Sequence, residues 1–206
     1  MENIIQLNKT VELIKESLKT AISYKEYREL VSEHVQNGSS TGPIQTADLS
    51  QYTLLNDSRM RRLDKTTKVP MSILEKLEGF KKKVTWLVLT ESWCGDAAQS
   101  MPVMNKMAEM ASGIDFKVVL RDENPELMNA FLTNGGMSIP KLIAFDSETN
   151  QILGDWGPRP TYATQMVDLY KKEHGKLTPE FKQDLQVWYN KDKGQSIVED
   201  LSGLLS

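Results

Sequence analysis

The sequence has 206 residues, 39% of them hydrophobic and 26% charged, so a packed core is feasible and wholesale disorder is excluded. A formal net charge of −3 gives no global pull toward nucleic acid or an anionic membrane, and neither partner is expected. No apolar run approaches the length of a bilayer span, and Met1-Glu2-Asn3-Ile4 lacks the basic and apolar regions of a signal peptide.

Along the chain, Leu7, Val11, Ile14, Leu18 and Ile22 recur at helical spacing and predict a helix over 7–36. The clearest loop follows at 37–46, opening with Asn37-Gly38-Ser39-Ser40-Thr41-Gly42-Pro43. A second helix is predicted over 53–67, with the basic run Arg59-Met60-Arg61-Arg62 expected on a solvated face. Pro70 suits the first turn of a third helix over 70–80. Short helices need tertiary partners, so residues 1–79 are expected to fold as a helical N-terminal extension.

The pattern changes at residue 84. Val84-Thr85-Trp86-Leu87-Val88-Leu89 is short, apolar and rich in β-branched residues, as a strand buried on both faces requires. A helix over 94–111 and a strand at Phe116–Leu120 follow. Asn124-Pro125 can cap and start a helix through Leu132. Lys141–Phe145 and Ile152–Asp155 read as strands joined by the polar turn 146–150, and a last amphipathic helix spans 161–174. The order strand, helix, strand, helix, strand, strand, helix mixes a crossover with a hairpin and predicts an α/β fold. Two further helical pieces, near 178–190 and 195–204, are expected to cap the C-terminal end over residues 176–206.

Trp93-Cys94-Gly95-Asp96-Ala97 lies at the junction of the central strand and its helix. A cysteine at a helix N-terminus faces unpaired N–H groups and the positive end of the helix dipole, which favour thiolate, the nucleophile of disulfide exchange. The effect is worth about 0.3–1 kcal/mol, and up to about 2 when partly buried. The carboxylate of Asp96 opposes it, so modest acidification of Cys94 is expected, with Asp96 tuning the site. Cys94 is the only cysteine, so no internal disulfide can form and a reducing, cytoplasmic setting is expected.

This loop resembles the Trp-Cys-x-x-Cys motif of thioredoxins. Pro102 follows Cys94 as the kinking proline does in that fold, and Ser138-Ile139-Pro140 precedes an apolar strand as its cis-proline loop does. With Arg121-Asp122-Glu123-Asn124, Gly135-Gly136 and Ile139-Pro140-Lys141, the chain is similar to a bacterial thioredoxin-like family whose loop usually reads Trp-Cys-Gly-Asp-Cys. The resemblance covers about residues 80–175. It implies a thioredoxin-like fold, a central mixed sheet flanked by helices, with the helical extension before it and the C-terminal helices after. It also implies that Cys94 is the nucleophile and that Trp93, Gly95, Ile139 and Pro140 hold the substrate, the Ile139 backbone offering an extended peptide its N–H and C=O.

Two departures bear on chemistry. Ala97 replaces the resolving cysteine, so a mixed disulfide on Cys94 needs an external thiol for release. Val88 stands where thioredoxins carry a buried acid, and Glu91, on the strand exit, is expected to be solvated. The leading expectation is thiol–disulfide exchange with a protein or small-molecule disulfide through a single cysteine, with no bound cofactor. The alternative is a non-catalytic module that binds a peptide or partner in the same groove. An iron–sulfur site of the monothiol glutaredoxin kind is least expected, because no lysine closely precedes the loop. His34 and His174 lie on separate helices without metal-ligand spacing, and Gly135-Gly136 reads as a turn. Met101, Met104, Met107 and Met110 are expected to face the sheet, and Trp156, Trp188 and Tyr189 to serve packing.

Overall fold

The computed structural model describes residues 2–205, with side chains from residue 5 onward. Its centre is β2 (Val84–Thr90), in which every residue is buried. The strand runs parallel to β3 (Ile114–Leu120) and antiparallel to β4 (Lys141–Asp146). β4 pairs in turn with β5 (Gln151–Trp156), antiparallel, whose alternating exposure marks a sheet edge. A strand covered on both faces needs apolar side chains on both, which is what Trp86, Leu87, Val88 and Leu89 provide.

The helix predicted over 7–36 is two helices. α1 (Glu2–Thr20) and α2 (Tyr24–Gln36) are separated by Ile22–Ser23, which form β1 and pair antiparallel with Val118 and Lys117. The break is held by a capping box. The Ser23 hydroxyl accepts from Glu26 N–H (3.2 Å), and the Glu26 carboxylate accepts from Ser23 N–H (2.7 Å). Two orphan donors at the helix start are satisfied in this way. The sheet therefore has five strands, ordered β1-β3-β2-β4-β5.

α3 (Ala47–Thr66) starts earlier than residue 53, because the Thr46 hydroxyl caps it by accepting from Leu49 N–H at 3.2 Å. Pro70 is the cap residue before α4 (Met71–Gly79) rather than its first helical residue. α5 (Gly95–Met110) carries Pro102 inside it and buries Met101, Met104 and Met107 completely. The remaining helices are α6 (Pro125–Ala130), α7 (Thr161–His174), α8 (Pro179–Asp192) and α9 (Gln195–Ser202). Between α8 and α9, Gly194 has φ +81°, and a Cβ there would lie 2.7 Å from Val103 Cγ2 on α5. Glycine is needed at that crossing for both reasons.

α3, α4 and α9 pack on α5, while α1 packs on α6 and β3. One hydrophobic core joins Ile14 and Val31 of the first two helices, Met60 of α3, the strands, and Ile197 and Leu201 of α9. The family of buried contacts thus runs from near the N-terminus to near the C-terminus. Replacing Ile14, which is fully buried, by Ala is expected to cost about 2–5 kcal/mol in a single urea transition. A loss below about 1 kcal/mol, or a separate early transition, would show that the first helix is only loosely attached.

Candidate functional site

The loop from Glu91 to Cys94 connects β2 to α5, and it is tied down by residues that lie between β1 and β2 in the chain. Ser92 Oγ accepts from Thr41 N–H (2.9 Å) and shares a hydrogen with the Thr53 hydroxyl (2.8 Å). Ser92 N–H donates to Thr41 Oγ1 (2.8 Å), and Ser92 C=O accepts from Asn56 Nδ2 (2.9 Å). Glu91 is 0% exposed, contrary to the expectation that it is solvated: its carboxylate accepts from the Thr41 hydroxyl and, at 2.9 Å, from Asp122 N–H. Burial raises its pKa above the ordinary carboxylate value, and those two donors oppose the rise. Val88 sits in the apolar centre of β2, paired with Val118 and Leu142.

Cys94 is the N-cap residue of α5, and its Sγ accepts from Ala97 N–H at 3.4 Å. This is the interaction expected to acidify the thiol. Yet Cys94 is only 7% exposed, and its S–H donates to the Ile139 carbonyl at 3.2 Å, a bond that only the thiol form makes. Burial, followed by the Asp96 carboxylate, pushes its pKa up to about 12, against the smaller lowering by the Ala97 and Asp96 N–H groups. The expected modest acidification is therefore reversed, because desolvation outweighs the helix terminus. The Ile139–Pro140 peptide is cis; Pro140 is buried, while Ile139 reaches the groove.

An open groove of about 730 Å³ brings Trp93, Cys94, Gly95, Asp96 and Ile139 together. Arg159, not singled out from sequence, also lines it, and Tyr189 reaches its acid from α8. Arg159 Nη2 pairs with Asp96 Oδ2 at 2.7 Å, and the Tyr189 hydroxyl donates to Asp96 Oδ1 at 3.2 Å. Burial raises the Asp96 pKa and Arg159 opposes that rise. Tyr189, expected only to pack, thus also fixes the loop's carboxylate. Arg121 stacks over the Trp93 ring, 4.9 Å from its centroid. Arg61 and Arg62 are exposed as expected, but Arg59 is half-buried in the groove wall and donates to Asn56 Oδ1 at 3.0 Å. The local signal for Arg159 was its setting, Gly157-Pro158-Arg159-Pro160, where two prolines stiffen the backbone around one cation. Among the described residues no group of three His, Cys, Asp or Glu side chains is placed to hold a metal ion, and no helix is long and apolar enough to cross a membrane.

The raised thiol pKa makes a signed prediction about stability. A group whose folded pKa exceeds its unfolded value stabilises the fold fully below the unfolded value, about 8.5 for cysteine, and that contribution is lost as pH rises toward the folded one. Between pH 8.5 and 10 the protein is expected to lose roughly 1–2 kcal/mol of stability that Cys94→Ala does not lose, measured by urea unfolding. Parallel curves for the two proteins would contradict a guarded thiol.

Comparison with known proteins agrees with this fold. A family model described as thioredoxin matches residues 42–173. Solved structures of similar fold include a protein of unknown function from Pseudomonas aeruginosa, at 16% identity and a TM-score of 0.56, covering 89% of this chain and 97% of that one. An HIV epitope scaffold is similar at 16% identity and a TM-score of 0.55, covering 89% of this chain and 98% of its own. No curated protein matches the sequence significantly. The matched segment takes in Thr41's neighbour Gly42, the tethering helix α3, the Cys94 loop and the Ile139–Pro140 turn, and the chain belongs to the thioredoxin family.

Proposed function

We propose that this chain is a thioredoxin-fold binding module, in which the groove beside Trp93 and Ile139 holds an extended partner and Cys94 is a guarded thiol rather than a turnover nucleophile. The observation that carries this reading is the state of Cys94: 7% exposed, hydrogen-bonded as a thiol to the Ile139 carbonyl. A rise from 9.0 to about 12 leaves roughly 1,000 times less thiolate at neutral pH than an unburied cysteine has. The greater nucleophilicity of a more basic thiolate recovers only a factor of about 15–30. Exchange should then run roughly 30–60-fold slower than at a free cysteine. Ala97 adds to this, since no second thiol in the loop can release a mixed disulfide.

A second reading, single-cysteine thiol–disulfide exchange completed by an external thiol, is favoured by the Ala97 N–H on Sγ and by the position of Cys94 at the start of α5. Partner binding that draws the Ile139 carbonyl away would strengthen that case. The two readings differ in the rate of mixed-disulfide formation with glutathione disulfide at pH 7.5, compared between native and guanidinium-unfolded protein. Binding without turnover predicts that the native thiol reacts roughly 30–60-fold more slowly than the unfolded one. A native rate equal to or above the unfolded rate would replace this proposal with the exchange reading.

A further inference from the structure

The groove's charge is opposite to that of the chain. The sequence carries a net −3, yet the groove is lined by Arg59, Arg121, Arg159, Lys171 and Lys182 with Asp96 as the acid among them. Arg159 is neutralised by Asp96, and Arg121 by Asp122 at 2.7 Å. Arg59, Lys171 and Lys182 make no ion pair among the described residues; the polar bond of Arg59 goes to the uncharged Asn56. Three cations without an ion-pair partner therefore line one cleft, from α3, α7 and α8, Arg59 sharing only the field of the Asp96 already paired with Arg159. In addition, Arg159 Nε is shielded from solvent and has no hydrogen-bond partner, an open donor in a wall otherwise well satisfied.

Beside these cations the lining is largely apolar, with Tyr52, Trp93, Met137, Ile139, Leu177 and Leu185, and it includes the uncharged polar side chains of Ser138, Gln183 and Gln186. A like-charged surplus along a cleft focuses potential and raises the local concentration of a ligand of opposite charge. A small carboxylate would answer the cations and leave the apolar side chains wet. A segment with acidic side chains among apolar ones answers both, and the groove's open shape and volume of about 730 Å³ admit such a strand.

We infer that the groove binds an extended peptide segment that carries acidic side chains interspersed with apolar ones. This rests on the binding reading above and specifies its partner by charge. Arg59, Lys171 and Lys182 meet the carboxylates, Trp93 and Ile139 the apolar positions, and the passing backbone covers Cys94.

The test is fluorescence anisotropy with a labelled, cysteine-free ten-residue peptide in which Glu alternates with Leu and Ser, beside a counterpart with Gln for every Glu. At 50 mM salt the Glu peptide is expected to bind at least tenfold more tightly than the Gln peptide, and to weaken as salt is raised. Lys171→Glu with Lys182→Glu, both exposed and so tolerant of change, should weaken it at least tenfold with an unaltered circular dichroism spectrum. Bound peptide should also slow alkylation of Cys94 at pH 9, which locates it over the thiol. Equal binding of the Gln peptide, or no effect of the charge reversal, would overturn the charge assignment and leave the binding module standing. Failure of both peptides to bind would overturn both, and glutathione competing as well as the Glu peptide would replace the peptide by a small anion.

Discussion

Ser92 holds the loop in place from both sides, accepting from Thr41, sharing a hydrogen with Thr53 and giving its carbonyl to Asn56. Everything at the site follows from that restraint. With Ser92 buried and Glu91 pinned through Thr41 and Asp122, the next residue but one cannot swing into solvent. Cys94 is left between Ala97 N–H and the Ile139 carbonyl, in contact with both. The helix terminus offers at most about 2 kcal/mol in favour of thiolate. A rise from 9.0 to about 12 amounts to about 4 kcal/mol the other way, so desolvation decides the outcome.

On the proposed reading, the same restraint lets a fold associated with disulfide chemistry serve binding. A thiol held protonated under a fixed carbonyl is slow to exchange, while the groove beside it stays open. Asp96, which would otherwise repel an acidic ligand, is neutralised by Arg159 and held by Tyr189. That leaves the cations of α3, α7 and α8 to set the sign of the groove. The helices outside the central α/β unit are therefore part of the site as well as of the core: α3 supplies Thr53, Asn56 and Arg59, and α8 supplies Tyr189 and Lys182.

Much of this was legible in the sequence, for physical reasons. The strand at Val84–Thr90, the cysteine at the helix start and the Ile139–Pro140 turn are local features, set by period, capping and proline. The break at Ile22–Ser23 was signalled by Ser23-x-x-Glu26, but the apolar spacing runs through it without a gap, so periodicity alone joined α1 to α2. The burial of Glu91 and the pairing of Arg159 and Tyr189 with Asp96 depend on partners far away in the chain, which no local pattern records. The sign of the Cys94 pKa shift was missed for the same reason. Helix position is readable from a few residues, whereas desolvation is a property of everything packed around the sulfur.

The most direct measurement is the pH titration of the Cys94 Cβ resonance in protein labelled with carbon-13 at cysteine, the single cysteine making the assignment unambiguous. A guarded thiol predicts one thiol resonance with no titration from pH 6 to about 9.5, and movement only as the pH approaches the range where the fold itself begins to yield. A sigmoidal shift to thiolate with a midpoint between about pH 6 and 8, the range of activated redox cysteines, would contradict it.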